Sequence, residues 1–84
     1  MMIYLVEDDN SIRELVIYTL QSTGFEARGF ACGADFWEGM KEDMPELVLL
    51  DIMLPDEDGL SILRKLRGTA ATQKLPVMML TAKG

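Results

Sequence analysis

Histidine is absent from this chain, cysteine occurs once, and no apolar run approaches the length of a membrane span. Without histidine, imidazole metal sites and histidine general bases are excluded. The single cysteine, Cys32, cannot form an internal disulfide, which fits a reducing compartment. The N-terminus lacks the pattern of a signal peptide. The sequence therefore predicts a cytoplasmic protein with no membrane segment.

Basic residues are also scarce. The chain has 8 lysines and arginines against 14 aspartates and glutamates, which gives a net charge of −6. Nucleic-acid binding needs a basic footprint on the protein, and the GxxxxGK[ST] phosphate loop is absent as well. We therefore expect that this chain does not bind nucleic acid directly. A cation or a basic protein surface is the expected partner.

The length of 84 residues predicts one domain, residues 1–84, with a core near the lower limit for independent folding. Hydrophobic residues make up 49% of the chain and charged residues 26%, which is typical of a globular domain rather than a disordered one. No internal repeat or linker divides the chain.

Strand and helix patterns alternate along the sequence. Short apolar or mixed runs predict strands at residues 2–6, 25–30, 46–51 and 75–80. Periodic stretches between them predict three helices: one that starts near Asp9, Asn10 or Ser11 and stops at Gly24, one at residues 33–41, and one at residues 61–66. This order, βαβαβαβ, predicts an α/β domain in which a parallel sheet has helices on both faces.

Acidic residues follow two of the predicted strands. Glu7 and Asp8 come directly after the first strand, Asp51 ends the third, and Thr81 follows the fourth. Parallel strands bring their carboxyl ends to one edge of the sheet, where open α/β sheets bind ligands. We therefore expect these side chains to converge on one cation site suited to phosphoryl chemistry.

Such convergence has an electrostatic consequence. Two carboxylates about 5 Å apart repel by about 3 kcal/mol at an effective dielectric of about 20. Without a metal, at least one carboxyl group should therefore titrate above its ordinary pKa. A divalent cation should raise the melting temperature at neutral pH.

Taken together, these motifs closely resemble one family. The chain is similar, over essentially its whole length, to the receiver domain of bacterial two-component response regulators. The resemblance rests on Glu7-Asp8, Asp51-x-x-x-Pro55-x-x-x-Gly59 and Thr81-Ala82. It implies a flavodoxin-like three-layer sandwich. The segment Met53-Leu54-Pro55 is also faintly similar to regulators that have a winged-helix DNA-binding output domain, which implies a parent protein that regulates transcription.

The resemblance also implies a chemistry. Asp51 would accept a phosphoryl group from a histidine kinase, by a transfer that the domain catalyses on itself rather than as an enzyme. Asp8 and Asp51 would bind Mg²⁺, with Glu7 acting largely through a water and the backbone carbonyl of Met53 completing the protein ligands. Mg²⁺ suits this set because it prefers hard oxygen ligands and keeps several waters.

Residues after the fourth strand both match the family and depart from it. Thr81 would donate its hydroxyl to a phosphoryl oxygen, and the small Ala82 would leave room for the phosphoryl group. The family continues with two helices and a strand that carries a phosphate-pairing lysine, whereas this sequence stops at Lys83-Gly84, and Lys83 is not that lysine. We therefore expect a truncated receiver that forms a homo-oligomer through its uncovered sheet face or its edge strand.

Two other functions remain open. A Mg²⁺-dependent phosphatase of the haloacid-dehalogenase type also uses an aspartate at a strand end, but it needs a second acid where this chain has Met53. A non-phosphorylated interaction module would use the same scaffold only for docking.

Simpler interpretations also exist for individual residues. Asp8 and Asp9 would be favourable as acids at a helix N-terminus, and Thr81 as a β-branched strand residue. Residues 56–58 are interpreted as a solvated loop and a helix start rather than as ligands.

Overall fold

The structure, a computed structural model, describes residues 1–80. Its strands are β1 (Met2–Val6), β2 (Glu26–Phe30), β3 (Leu47–Asp51) and β4 (Val77–Leu80). Its helices are α1 (Asn10–Ser22), α2 (Gly33–Glu42) and α3 (Gly59–Arg67), with a short 3-10 helix at Ala70–Thr72 before β4. The strands form one parallel sheet in the order β2-β1-β3-β4, which confirms the predicted α/β architecture.

The apolar residues of the two central strands alternate between the faces of the sheet. On one face, Tyr4, Val6, Val48 and Leu50 form a core with α2 and α3, to which the helices contribute Phe36, Ile62 and Leu66. On the other face, a smaller core packs against α1 and consists of Ile3, Leu5 and Leu49 with the half-buried Val16, Ile17 and Leu20. The fold is therefore a three-layer sandwich, as the sequence predicts.

Local features decide two of the element boundaries. Helix α1 begins at Asn10, one of the predicted starts, because the side chain of Asp9 caps it by accepting a hydrogen bond of 2.9 Å from the Ile12 N–H. Strand β4 begins at Val77 rather than at residue 75. Pro76 has no N–H to donate, although its carbonyl accepts a hydrogen bond of 3.0 Å from the Val48 N–H.

Helix α2 lies unusually close to the sheet at Gly39. A Cβ at this position would lie 2.5 Å from Cζ of Phe30, whose ring packs edge-on against the ring of Tyr4. The buried Tyr4 hydroxyl lies 3.1 Å from the Gly39 carbonyl oxygen and 2.9 Å from that of Asp43. Gly39 therefore allows a contact that any larger residue would block.

None of the helices within residues 1–80 combines the length and the apolarity that crossing a bilayer demands.

We predict that Gly39→Ala lowers the free energy of unfolding by about 1–3 kcal/mol, because the added methyl group overpacks the Phe30 ring. Denaturant unfolding of the variant checks this value. The matched control is the same substitution in a Phe30→Leu background, where the penalty should shrink because the ring is gone. An equal penalty in both backgrounds would show that the contact with Phe30 is not its cause.

Candidate metal centre

The register of the sheet brings the predicted acids together. Strands β1 and β3 are neighbours, and Val6 pairs with Leu50. The residues that follow this pair are Glu7 and Asp51, so both emerge at the same edge of the sheet. One carboxylate oxygen from each of Glu7, Asp8 and Asp51 lies within 4.8 Å of the others. The predicted convergence of these acids is therefore confirmed.

Glu7 is the most firmly held member of this cluster. It is only 7% exposed, and its Oε2 accepts a hydrogen bond of 3.0 Å from the Asp9 N–H. Its own N–H donates to the Phe30 carbonyl (2.9 Å), and its carbonyl accepts from the Arg13 guanidinium (2.7 Å). Contacts with β2 and α1 thus fix the position of this carboxylate.

The electrostatics of the cluster follow from burial and like charge. Burial raises the pKa of Glu7, and the negative charges of Asp51 and Asp8 raise it further, although the hydrogen bond from the Asp9 N–H acts in the opposite direction. The raised pKa of Glu7 agrees in direction with the prediction, but burial is its largest cause, whereas the prediction attributed it to like-charge repulsion.

The donor set defines the kind of ion that fits. All three side chains offer oxygen, which suits hard divalent cations such as Mg²⁺, Mn²⁺ and Ca²⁺. A bound dication would also offset the repulsion among the carboxylates. The cluster fits a divalent cation held by Glu7, Asp8 and Asp51.

The loop after Asp51, residues 52–58, turns back sharply onto the end of β3. The Gly59 N–H donates a hydrogen bond of 2.8 Å to the Ile52 carbonyl, and a Cβ at Gly59 would collide with the Asp51 carbonyl oxygen. Gly59 therefore has a backbone role, because a side chain at this position would block the turn of the chain. Met53 lies in this loop, two residues beyond Asp51, and its side chain is exposed.

Two acids of this loop have roles that the sequence interpretation missed. Asp56 is exposed, as expected of a solvated loop, yet its carboxylate also accepts hydrogen bonds from the first N–H groups of α2. Glu57 is half-buried and its carboxylate accepts a hydrogen bond from Trp37, so the expectation was wrong for Glu57. Asp58 does start a helix as predicted, because its side chain caps α3 through the Leu60 N–H (2.8 Å).

The predicted phosphate-binding residues Thr81 and Ala82 lie outside the described residues, as do Lys83 and Gly84. Thr81 directly follows Leu80, the last residue of β4, and Leu80 pairs with Asp51 in the sheet.

Fold and site together define a parallel α/β domain with an acidic strand edge that fits a divalent cation. Residues 3–84 match the model of the response regulator receiver domain. The chain belongs to this family: it is a receiver domain of two-component response regulators.

Relatives and solved structures agree with this assignment. The transcriptional regulatory protein GltR of Pseudomonas aeruginosa is 45% identical over 80 residues, which are 95% of this chain and 33% of GltR. The N-terminal domain of a response regulator receiver protein from Methanoculleus marisnigri has a TM-score of 0.91 and 34% identity, and the match covers 98% of this chain and 67% of that one. The Mn²⁺-bound form of response regulator Rcp1 has a TM-score of 0.87 and 26% identity, over 98% of this chain and 66% of that one.

The chain spans about a third of the length of the curated relatives it matches.

We predict that Glu7→Gln stabilises the metal-free domain at neutral pH, because it removes a buried charge but keeps an acceptor for the Asp9 N–H. The raised pKa means that folded Glu7 binds its proton more tightly than unfolded Glu7 does. Wild-type stability should therefore fall as the pH rises from the ordinary glutamate pKa through the raised one, and the variant should lack this loss.

Thermal melting with a chelator and with excess Mg²⁺ measures both effects. The wild type should gain melting temperature from Mg²⁺ at neutral pH, and Glu7→Gln should gain less. An identical Mg²⁺ response in both proteins would contradict a role for this carboxylate at the metal.

Proposed function

We propose that Asp51 accepts a phosphoryl group from the phosphohistidine of a histidine kinase, at a Mg²⁺ site formed by Glu7, Asp8 and Asp51. The observation that supports this proposal is the clustering of three carboxylate oxygens within 4.8 Å at the end of β3. The Mn²⁺-bound Rcp1 supports a divalent ion in this family. Mg²⁺ fits the all-oxygen donor set.

The chemistry assigns each residue a task. A carboxylate oxygen of Asp51 attacks phosphorus, the bond from phosphorus to the histidine nitrogen breaks, and Asp51 becomes an acyl phosphate. Mg²⁺, when bound, offsets the negative charge that accumulates on the transferring group. Glu7 and Asp8 would hold the metal beside Asp51, and the backbone carbonyl of Met53 would complete its protein ligands. Thr81 donates its hydroxyl to a phosphoryl oxygen, and Ala82 leaves space for the group.

The residues that follow Asp51 favour a domain that accepts a phosphoryl group over an enzyme that turns over separate substrates. A phosphatase of the haloacid-dehalogenase type needs an acid two residues beyond its nucleophile, and this position holds the exposed Met53. The domain therefore catalyses only its own modification.

The parent protein is proposed to regulate transcription in the cytoplasm. Its relative GltR is named a transcriptional regulatory protein and is about three times as long as the matched segment. Because the chain has a net charge of −6, the contact with DNA belongs to a part of the parent protein outside this segment.

We predict that acetyl phosphate with Mg²⁺ adds one phosphoryl group to the wild-type chain and none to Asp51→Asn, because the amide oxygen is too weak a nucleophile. Intact-mass spectrometry measures the addition. Asp35→Asn, on the exposed side of α2, is the control and should label normally. Labelling of Asp51→Asn at the wild-type rate, or steady release of phosphate from many phosphate esters, would contradict the proposal.

Self-association is a separate part of the proposal. Within residues 1–80, the outer edge of β4 has no partner strand, and Met78 on this strand is 57% exposed. Helix α1 has no fully buried residue, and it leaves Leu15 and Tyr18 exposed. An open edge with an apolar side chain favours strand pairing between copies.

We therefore predict that the 84-residue chain forms a homo-oligomer and that Met78→Lys shifts it towards the monomer, because a charge on an edge strand opposes pairing. Light scattering measures the molar mass of both proteins. A wild-type chain that is a compact monomer with a cooperative melting transition would contradict this prediction.

A further inference from the structure

Two consecutive acids, Asp56 and Glu57, fasten the loop at residues 52–58 to the helices beside it. The carboxylate of Asp56 accepts hydrogen bonds from the backbone N–H groups of Gly33 (2.8 Å) and Ala34 (2.9 Å) at the start of α2. These two acids and their bonds to α2 and α3 are called the loop clamp.

Helix α2 depends on this clamp for its cap. Cys32 occupies the capping position, but its side chain makes no capping hydrogen bond. Asp56 supplies the missing acceptor from a different loop, and its bonds to the Gly33 and Ala34 N–H groups hold the pKa of its carboxyl below the ordinary value. Asp56 is therefore a charged cap that ties a loop to a helix distant in sequence.

Glu57 forms the second half of the clamp. Its side chain is only 18% exposed, and its Oε1 accepts a hydrogen bond of 2.8 Å from the indole N–H of Trp37 on α2. Its Oε2 accepts from the Ser61 hydroxyl (3.2 Å) and pairs with Lys65, both on α3. This carboxylate thus bridges α2 and α3.

The close approach of the loop to α2 favours a small residue on the helix, because a side chain there would displace Glu57. A Cβ at Gly33 would lie 3.2 Å from both Cβ and Oε1 of Glu57. The start of the loop is attached at Ile52, whose carbonyl accepts a hydrogen bond from the Gly59 N–H, and Gly59 also packs against Asp51. Met53 lies between this attachment and the one formed by Asp56 and Glu57.

We propose that Asp56 and Glu57 are positioning residues for the metal centre: by holding the loop on α2 and α3, they keep the Met53 carbonyl and Asp51 in the arrangement that binds the cation. This inference rests on the proposed function, in which that carbonyl is a metal ligand. Releasing the clamp lets the loop occupy other conformations. The apparent affinity for the cation then falls in proportion to the population that can still bind.

The test compares Mg²⁺ binding by the wild-type chain, Asp56→Ala and a matched control. Thr72→Val removes the buried hydrogen bond that the Thr72 hydroxyl donates to the Leu66 carbonyl (2.6 Å), which lies outside the loop clamp. It should lower stability much as the lost cap does, without touching the loop. Titration calorimetry gives the Mg²⁺ Kd, and acetyl phosphate labelling gives the half-saturating Mg²⁺ concentration.

Asp56→Ala should raise the Mg²⁺ Kd and the half-saturating concentration by about fivefold, with saturating Mg²⁺ restoring the labelling, because only the binding-competent population changes. Thr72→Val should leave both quantities unchanged. Asp56→Asn, which keeps an acceptor oxygen for α2, should lie between Asp56→Ala and the wild type. Trp37 is the only tryptophan, so its emission should shift to the red in Asp56→Ala as the indole gains exposure.

Equal Mg²⁺ affinities for Asp56→Ala and the wild type, with only a lower melting temperature in the variant, would overturn the inference and leave Asp56 as a helix cap. Glu57→Gln, which keeps the bond to Trp37 but loses the ion pair with Lys65, provides a second variant should Asp56→Ala fail to fold. A raised Mg²⁺ Kd in Glu57→Gln supports the positioning role of the loop clamp, and an unchanged Kd contradicts that role. A wild-type chain that neither binds Mg²⁺ nor labels would overturn the proposed function itself.

Discussion

The repulsion among three carboxylates at the end of β1 and β3 is the constraint on which the site depends. The sheet register brings Glu7 and Asp51 side by side, and burial adds to the cost of the Glu7 charge. A domain of this size is only marginally stable, and a divalent cation would offset the repulsion among the carboxylates of this cluster. The stability of the domain is thereby linked to the charges that gather beside Asp51.

The loop that follows Asp51 is organised around the same site. Gly59 permits the sharp return of the chain, and Asp58 starts α3, so the root of the loop is fixed by backbone geometry and capping. Asp56 and Glu57 fix its far side through hydrogen bonds to neighbouring helices. Acids that look alike in the sequence thus have three different places in the structure: a cluster that fits a divalent cation, a helix cap and a bridge between helices.

Periodicity and strand-end acids were sufficient to predict the α/β order, the parallel sheet and the convergence of Glu7, Asp8 and Asp51, because these follow from topology. Boundaries were harder, since the cap at Asp9 and the position of Pro76 decide them locally. The clamp formed by Asp56 and Glu57 was not predicted, because capping of α2 by a residue of another loop leaves no periodic pattern in the sequence.

The sequence by itself determined which chemistry is available: oxygen ligands, no imidazole, and a carboxylate at the end of an apolar strand. Continuous apolar runs also indicated that the two central strands are buried on both faces, as strands of a parallel sheet between helices are. Only the tertiary structure decided which acids share a site and which ones cap or bridge helices. Those roles depend on distances between segments far apart in the chain, and such distances exist only once the sheet has formed.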